Sequence, residues 1–255
     1  ISYLDFLFSS SYSPIPQRIW FASPTDIFLI FLVLDVLTQK TGIFGPPMFP
    51  STDRLLAELV LDRSILLDCA GNSLKLLFTG YFWGMLIGLL TGIPAGRSRK
   101  ARYWIAPILR VLAPIPSVTW MALFFVLSKS LFQGCVAMVA YSVWYPVASG
   151  IMRGILQVDH AYIEAAQTLG ASSEWKILRY VTLPSVLPCL FQGMISGMRA
   201  ACGSLMIAEM MGVESGLAWY ITWQRGWGNF TKMYTAIVMI CITFLFVDAA
   251  LGLLR

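Results

Sequence analysis

Few residues in this chain are equipped for chemistry. It has one histidine, His160, and its five cysteines (Cys69, Cys135, Cys189, Cys202 and Cys241) form no C-x-x-C pair. Most of these cysteines lie in apolar runs and suit the role of small hydrophobes better than disulfides or metal ligands. A lone histidine argues against a His-based metal or acid–base centre. No catalytic residue and no metal ligand is therefore expected, and a membrane enzyme lacks its cluster of acid, base and nucleophile. No glycine is followed by lysine, so the glycine-rich loop with a phosphate-binding lysine is missing too. What remains is charge and aromatic rings in unusual places. Arg199 falls inside an apolar run, where a charge is by default a candidate for function. It suits an anion, and equally a structural pair with an acid, Glu209 being the nearby candidate. Trp219, Trp223 and Trp227 recur every fourth residue beside Tyr220. They suit interfacial anchors, or an outer gate or docking surface.

The elements that must hold these residues are set by composition. The chain has 255 residues, 58% of them hydrophobic and 12% charged, against about 25% charged in soluble domains. Such a chain cannot cover itself with polar surface, so it belongs in a bilayer. Its net charge of +5 is then loop charge rather than a nucleic-acid footprint. A crossing needs about 20 mostly apolar residues, and six spans are legible, at about 20–38, 72–96, 104–128, 130–152, 185–208 and 233–254. Together they form a single transmembrane domain over residues 1–255. The chain opens on Ile1, so its native N-terminus is expected to lie upstream, and no cleavable signal peptide is legible. Arg97, Arg99, Lys100 and Arg102 crowd the link between spans two and three. The positive-inside rule places that link in the cytoplasm. Both termini and segment 153–184 follow it there, and 209–232 lies outside. After Pro46, Pro47 and Pro50, Ser51 or Thr52 is expected to cap a short helix, Asp53–Arg63. Its Leu55, Leu56, Leu59 and Val60 would lie on membrane lipid.

Gly80, Gly84, Gly88, Gly92 and Gly96 form a smooth face on span two, and Gly193, Gly197, Ala200, Ala201 and Ser204 form one on span five. Such faces let neighbouring backbones approach closely; they serve packing, and they are compatible with sliding. Pro107, Pro114 and Pro116 should kink span three. Broken backbone at membrane depth is tolerated beside protein or a water-filled cavity, so a pathway and a packing kink both fit.

Segment 153–184 reads as a helical hairpin. Asp159 can cap a helix that carries Tyr162, Ala165, Ala166 and Leu169 on one face, and Glu164 can pair with a nearby cation. Gly170 suits the left-handed C-terminal position, and Ser172 or Ser173 can cap a second helix that Pro184 ends. Two alanines on the face would let another backbone come close, although a self-packed loop fits the same pattern.

Glu164-Ala165-Ala166-x-x-x-Gly170, followed by Val181-x-Leu183-Pro184, resembles the EAA loop of permeases of binding-protein-dependent ABC importers, with Val181 where that family often has Ile. Pro46–Leu59, Ile115-Pro116-Ser117, Thr168-Leu169-Gly170-Ala171-Ser172 and Ala208-Glu209-Met210 resemble the nitrate/sulfonate/taurine/bicarbonate branch. The resemblance implies an all-α membrane protein with the six-span type I importer permease fold, in a prokaryotic plasma membrane. It implies a second permease subunit, expected to be an identical copy, an extracytoplasmic solute-binding protein, and a cytoplasmic ATPase dimer that receives Tyr162, Glu164, Ala165, Ala166, Leu169 and Gly170. ATP and Mg would sit on that partner, with no cofactor on this chain. Arg199, Glu209, Trp219 and Trp223 become candidates for a solute pathway or gate. The expected solute is a small oxyanion. Tyr141, Trp144 and Tyr145 keep open a riboflavin- or thiamine-precursor-type solute, and an ATP-independent channel or carrier is the remaining alternative.

Overall fold

A computed structural model describes residues 50–169 and 173–252, and every regular element among them is helical. Ile1–Leu56 and Ala57–Arg255 form separate units. The expected first span lies outside the described residues. The first described helix, α1 (Thr52–Leu61), starts where the Ser51 carbonyl accepts the Arg54 and Leu55 amides. It stops short of the expected Arg63, because Arg63 already opens α2 (Arg63–Arg97). Between them Asp62 leaves the helical conformation. Its carboxylate takes Lys232 Nζ at 2.8 Å and the Tyr220 hydroxyl at 2.8 Å, while Lys232 also reaches Glu58 at 3.2 Å. α2 starts well before the expected boundary near 72. Its first turns carry exposed Asp68 and Lys75, which ended the apolar run without ending the helix.

Span three is broken rather than kinked. It comprises α3 (Arg99–Leu112), a 3₁₀ turn (Ser117–Trp120) and α4 (Met121–Leu127), bent by 97°. Pro114 and Pro116 lack the amides that would bond the carbonyls of Arg110 and Leu112. The Leu112 carbonyl is served instead by the Ile115 amide at 3.1 Å and the Tyr141 hydroxyl at 3.0 Å. Trp120 Nε1 donates in turn to the Tyr141 oxygen at 3.1 Å. At the other end of α3, Arg102 donates to the Ala95 and Gly96 carbonyls at 2.9 and 2.7 Å, closing the C-terminus of α2.

The chain continues through α5 (Leu131–Leu156), α6 (His160–Thr168) and α7 (Glu174–Ile177), then a π-helical turn (Leu178–Thr182) and α8 (Leu183–Gly212). It ends on α9 (Leu217–Gly226) and α10 (Phe230–Gly252). Pro184 does not end the second hairpin helix. It sits at the second position of α8, just after the π-helical turn, and the helical run Trp175–Gly212 continues through it. α5 and α8 overrun their expected boundaries to Leu156 and Gly212. Among the described residues α2, α5, Trp175–Gly212 and α10 are long and apolar enough to cross a membrane, and the bent pair makes a fifth crossing if counted as one.

α5 is the axis of the bundle. A Cβ built on Gly80, Gly84, Gly88 or Gly92 would lie 2.5–2.8 Å from α5 atoms: Val139, the Ala140 carbonyl, Val147 and the Ala148 carbonyl in turn. The glycines of α2 therefore bring its backbone onto α5 over successive turns. On the other side, Gly150 of α5 meets the Cys189 carbonyl and Gly193 of α8, while Gly193 and Gly197 meet Val147 and Val143. Leu77, Met138, Val139, Val143, Val147, Ala201 and Leu205 fill the resulting core. Trp144 Nε1 adds a hydrogen bond to Thr91 Oγ1 at 2.9 Å across the α2–α5 seam.

Two outcomes test this architecture. Gly84→Ala pushes a methyl onto the Ala140 backbone, which cannot swing away, and should destabilise by about 1–3 kcal/mol. Gly203→Ala, with nothing within 4 Å of the new methyl, should leave the Tm of the detergent-purified protein unchanged or slightly raised. The Asp62 knot gives a pH signature. Burial alone would raise the Asp62 pKa, but the bonds from Lys232 and Tyr220 outweigh it and hold the carboxyl below its usual range. Its stabilisation is then full above the ordinary carboxylate pKa of about 3.9 and is lost as pH falls through the lower folded value. The Tm gap between wild type and Asp62→Asn should be open at pH 7 and close below about pH 4.

Candidate functional site: the hairpin and the embedded charges

The hairpin begins where α5 stops. Asp159 accepts the Ala161 amide at 3.0 Å, capping α6 at the expected residue. α6 closes with the Leu169 amide on the Ala165 carbonyl. Ser173 Oγ then accepts the Trp175 amide at 3.3 Å, so of the two expected serine caps this one is formed. Gly170 lies outside the described residues.

What the hairpin presents is apolar and uncovered. Tyr162, Ala165 and Leu169 share one face, and Tyr162 is 66% exposed and Leu169 89% exposed. Ala166 is half-buried at the edge of that face, and Ile163 turns inward. Trp175 and Tyr180 extend the exposed apolar surface beyond it. Glu164 is exposed, and among the described residues it has no ion-pair partner, so the expected local pair is not formed. A short helix that leaves a leucine and a tyrosine in water has the chemistry of half an interface.

The embedded charges fall out differently from expectation. Arg199 Nη2 lies 3.9 Å from the Asp248 carboxylate on α10. Its acidic neighbour is therefore Asp248, not Glu209. Glu209, only 1% exposed, points instead at the start of α9. Its Oε2 accepts the Ala218 amide at 2.9 Å, and Ser73 Oγ accepts the Leu217 amide at 2.9 Å. The two side chains satisfy the first free amides of α9, and the carboxylate also meets the positive end of the helix dipole. Gly216 makes this possible: its φ is +120°, and a Cβ there would fall 2.5 Å from the Glu209 carboxyl carbon. Glu209 thus closes a joint between α8, α9 and α2. Sequence reasoning missed both Gly216 and Ser73, the latter more than a hundred residues away in sequence.

Trp219 and Trp223 stack along α9 with ring centroids 5.6 Å apart, and Trp227 meets Trp223 edge-on at 6.0 Å. With Met210 and Thr222 they line an open cleft of about 450 Å³. At the hairpin end of the bundle, a second open groove of about 490 Å³ runs between α5 and α8. Its polar residues include Tyr145, Ser149 and Arg153 of α5 and Gln157 at its C-cap, a spacing of four throughout. That row is present in the sequence as a period of four, obscured by the apolar residues that surround it.

Comparison with known proteins agrees with this architecture. Residues 84–255 match the family described as binding-protein-dependent transport system inner membrane component. A putative aliphatic sulfonates transport permease of Bacillus subtilis (strain 168) is 27% identical over 69% of this chain and 63% of its own length, so the chain spans just under two thirds of that relative. The taurine transport system permease of Escherichia coli (strain K12) is 28% identical over 82% of this chain and 77% of its own. A chain of the MetNI methionine ABC transporter, solved in inward-facing conformations, superposes with a TM-score of 0.64 at 21% identity, covering 76% of this chain and 95% of that one. With two thirds of its length inside the family match, this chain belongs to the binding-protein-dependent inner membrane components and is a multi-pass permease of an ABC importer with the type I fold.

Proposed function

We propose that this permease carries a small oxyanion of the sulfonate class inward, and that α6 and α7 couple its spans to a separate ATPase. The observation that carries the coupling role is the uncovered face of Tyr162, Ala165 and Leu169 on a capped helix outside the spans. Bulk in the middle of that face would hold a partner off, and alanine admits a close backbone. Glu164, exposed and unpaired among the described residues, is left for a cation on the partner. ATP and Mg belong to the ATPase. Arg97, Arg99, Lys100 and Arg102 put the hairpin end in the cytoplasm, with both termini on that side. A second copy of the chain completes the pathway, and a binding protein delivers solute at the far end, where Trp219 and Trp223 anchor α9 at the interface.

Two things support an anion over an aromatic solute. The relatives named above are named for aliphatic sulfonates and for taurine, itself a sulfonate. Two of Tyr141, Trp144 and Tyr145 are also committed elsewhere. Tyr141 holds the broken span, and Trp144 is bonded to Thr91. Arg199 sits beside the pathway with Asp248 moderating its charge.

The test is to purify the complex by a tag on this chain, identify its subunits, and measure which solutes its binding protein holds. An ATPase subunit and sulfonate binding are expected; recovery without an ATPase, or transport that ignores ATP, overturns the coupling role, and binding of a flavin instead overturns the solute. Within that complex, Ala165→Leu should lower ATPase recovery or transport by about tenfold or more, since about 1.4 kcal/mol of lost docking energy is a tenfold change. The Tm of the permease itself should stay put, because the side chain is exposed. Glu209 should behave in the opposite way. Glu209→Gln keeps an acceptor for the Ala218 amide and should cost little. Glu209→Ala orphans that amide and should lower stability by about 1–3 kcal/mol. If Glu209→Gln abolished transport at unchanged Tm, the carboxylate would belong to the pathway and not to the joint.

A further inference from the structure

The groove between α5 and α8 has a composition that a lipid-facing surface does not tolerate. Tyr145, Ser149 and Arg153 descend one face of α5 to Gln157 at its C-cap, and Gln192 and Ser196 face them from α8. Gln192 lies nine residues into α8, about 13 Å along the helix at 1.5 Å per residue. Amides and hydroxyls at that depth face protein or water, not hydrocarbon. The two helices cannot close over this row from the bundle side, because Gly150 and Gly193 already bring their backbones into contact behind it. The groove therefore opens away from the core.

One cation governs it. Arg153 is exposed and, among the described residues, its guanidinium has neither an ion-pair partner nor a hydrogen bond. Among the described residues no acid lines the groove. Asp159, the acid that follows Arg153 in sequence, has its carboxylate turned to the cap of α6. Arg199 continues the α8 row three residues beyond Ser196. An unpaired guanidinium over a cleft with low-dielectric walls raises the local concentration of anions. Its planar fork of donors also matches the oxygens of a sulfonate or nitrate.

We infer that this groove is the inner half of the solute pathway and that Arg153 holds the oxyanion at its mouth before release. The inference rests on the oxyanion proposed above. Gln157, Gln192 and Ser196 replace part of the anion's hydration shell, and Arg153 supplies the charge that favours anions over cations. A single cation at an open mouth holds its ligand weakly, as release requires.

Cys189 is a reporter already in place. It lines the groove, its Sγ lies 3.7 Å from Gln157 Oε1, and its Cβ packs against Gly154, the neighbour of Arg153. The complex in inside-out membrane vesicles is treated with an anionic or a cationic methanethiosulfonate reagent, neither of which crosses lipid. Modification of Cys189 is followed on its own peptide by mass spectrometry. Each rate is divided by that of the same reagent with a free thiol. Both reagents are expected to reach Cys189, with the anionic one favoured by about threefold or more and the preference shrinking as salt screens the guanidinium. Arg153→Lys should keep the preference, Arg153→Gln should bring it to about one, and Arg153→Glu should reverse it. Modification by a lipid-permeant maleimide alone would place the groove against lipid and overturn the inference, as would a wild-type rate ratio near one or a preference that survives in Arg153→Gln. The wild-type ratio and its salt dependence decide the matter even if a variant fails to fold. No transported solute enters the measurement. A binding protein that proves to hold a flavin would sink the solute assignment and leave the labelling result standing, and a lipid-facing groove would do the converse.

Discussion

Everything in this bundle depends on backbones being allowed to touch. In a bilayer, lipid tails are as apolar as leucine, and no hydrophobic force drives helices together. Packing contacts must do it. Here α2 lies on α5 through Gly80, Gly84, Gly88 and Gly92, and α5 lies on α8 through Gly150, Gly193 and Gly197. The residues met are carbonyls, Cα atoms and stiff valines, so the seams have little room to adjust. This seating makes α5 the fixed member. The groove, the broken span and the hairpin are all positioned by where α5 begins, how its side chains point, and where it ends.

The broken span shows a polar obligation being met by a neighbour. Two prolines strip the end of α3 of its usual donors, at a depth where water is scarce. The Tyr141 hydroxyl, brought in on α5, serves the Leu112 carbonyl, and Trp120 closes the set from the far side of the bend. The same logic holds at α9, whose first amides are met by Ser73 and Glu209 rather than by its own sequence. In both places a distant helix completes a backbone that its own segment leaves unfinished. Such joints fix relative orientation more firmly than apolar contact does.

These remote partners explain what was legible in the sequence and what was not. The glycine faces, the capped hairpin and the proline break could be read because each is a local pattern: a period of four, an Asp before a helix, missing amides. The EAA loop added its likeness to a known family. The 97° bend was foreseen as a kink but not in its size, which depends on Tyr141 arriving from another helix. For Arg199, proximity in sequence offers Glu209 as a candidate partner. The neighbour of Arg199 proved to be Asp248, on a helix that returns only after the excursion through α9. Helix ends were misjudged wherever hydropathy stood in for helicity. α2, α5 and α8 all run beyond their apolar runs, because a helix outlasts the membrane that buries it.

The π-helical turn at Leu178–Thr182 joins α7 to α8 with no loop between them. A π turn winds an extra residue into its circuit and loses that residue when it tightens to α geometry. Tightening would rotate everything downstream about the helix axis by roughly a quarter to a third of a turn, given about 100° per residue. The joint could thus act as a screw thread between the hairpin and α8. Because Gly193 and Gly197 are already seated on α5, such a rotation would have to unseat that contact, so the hairpin and the α5–α8 seam are mechanically linked through the turn.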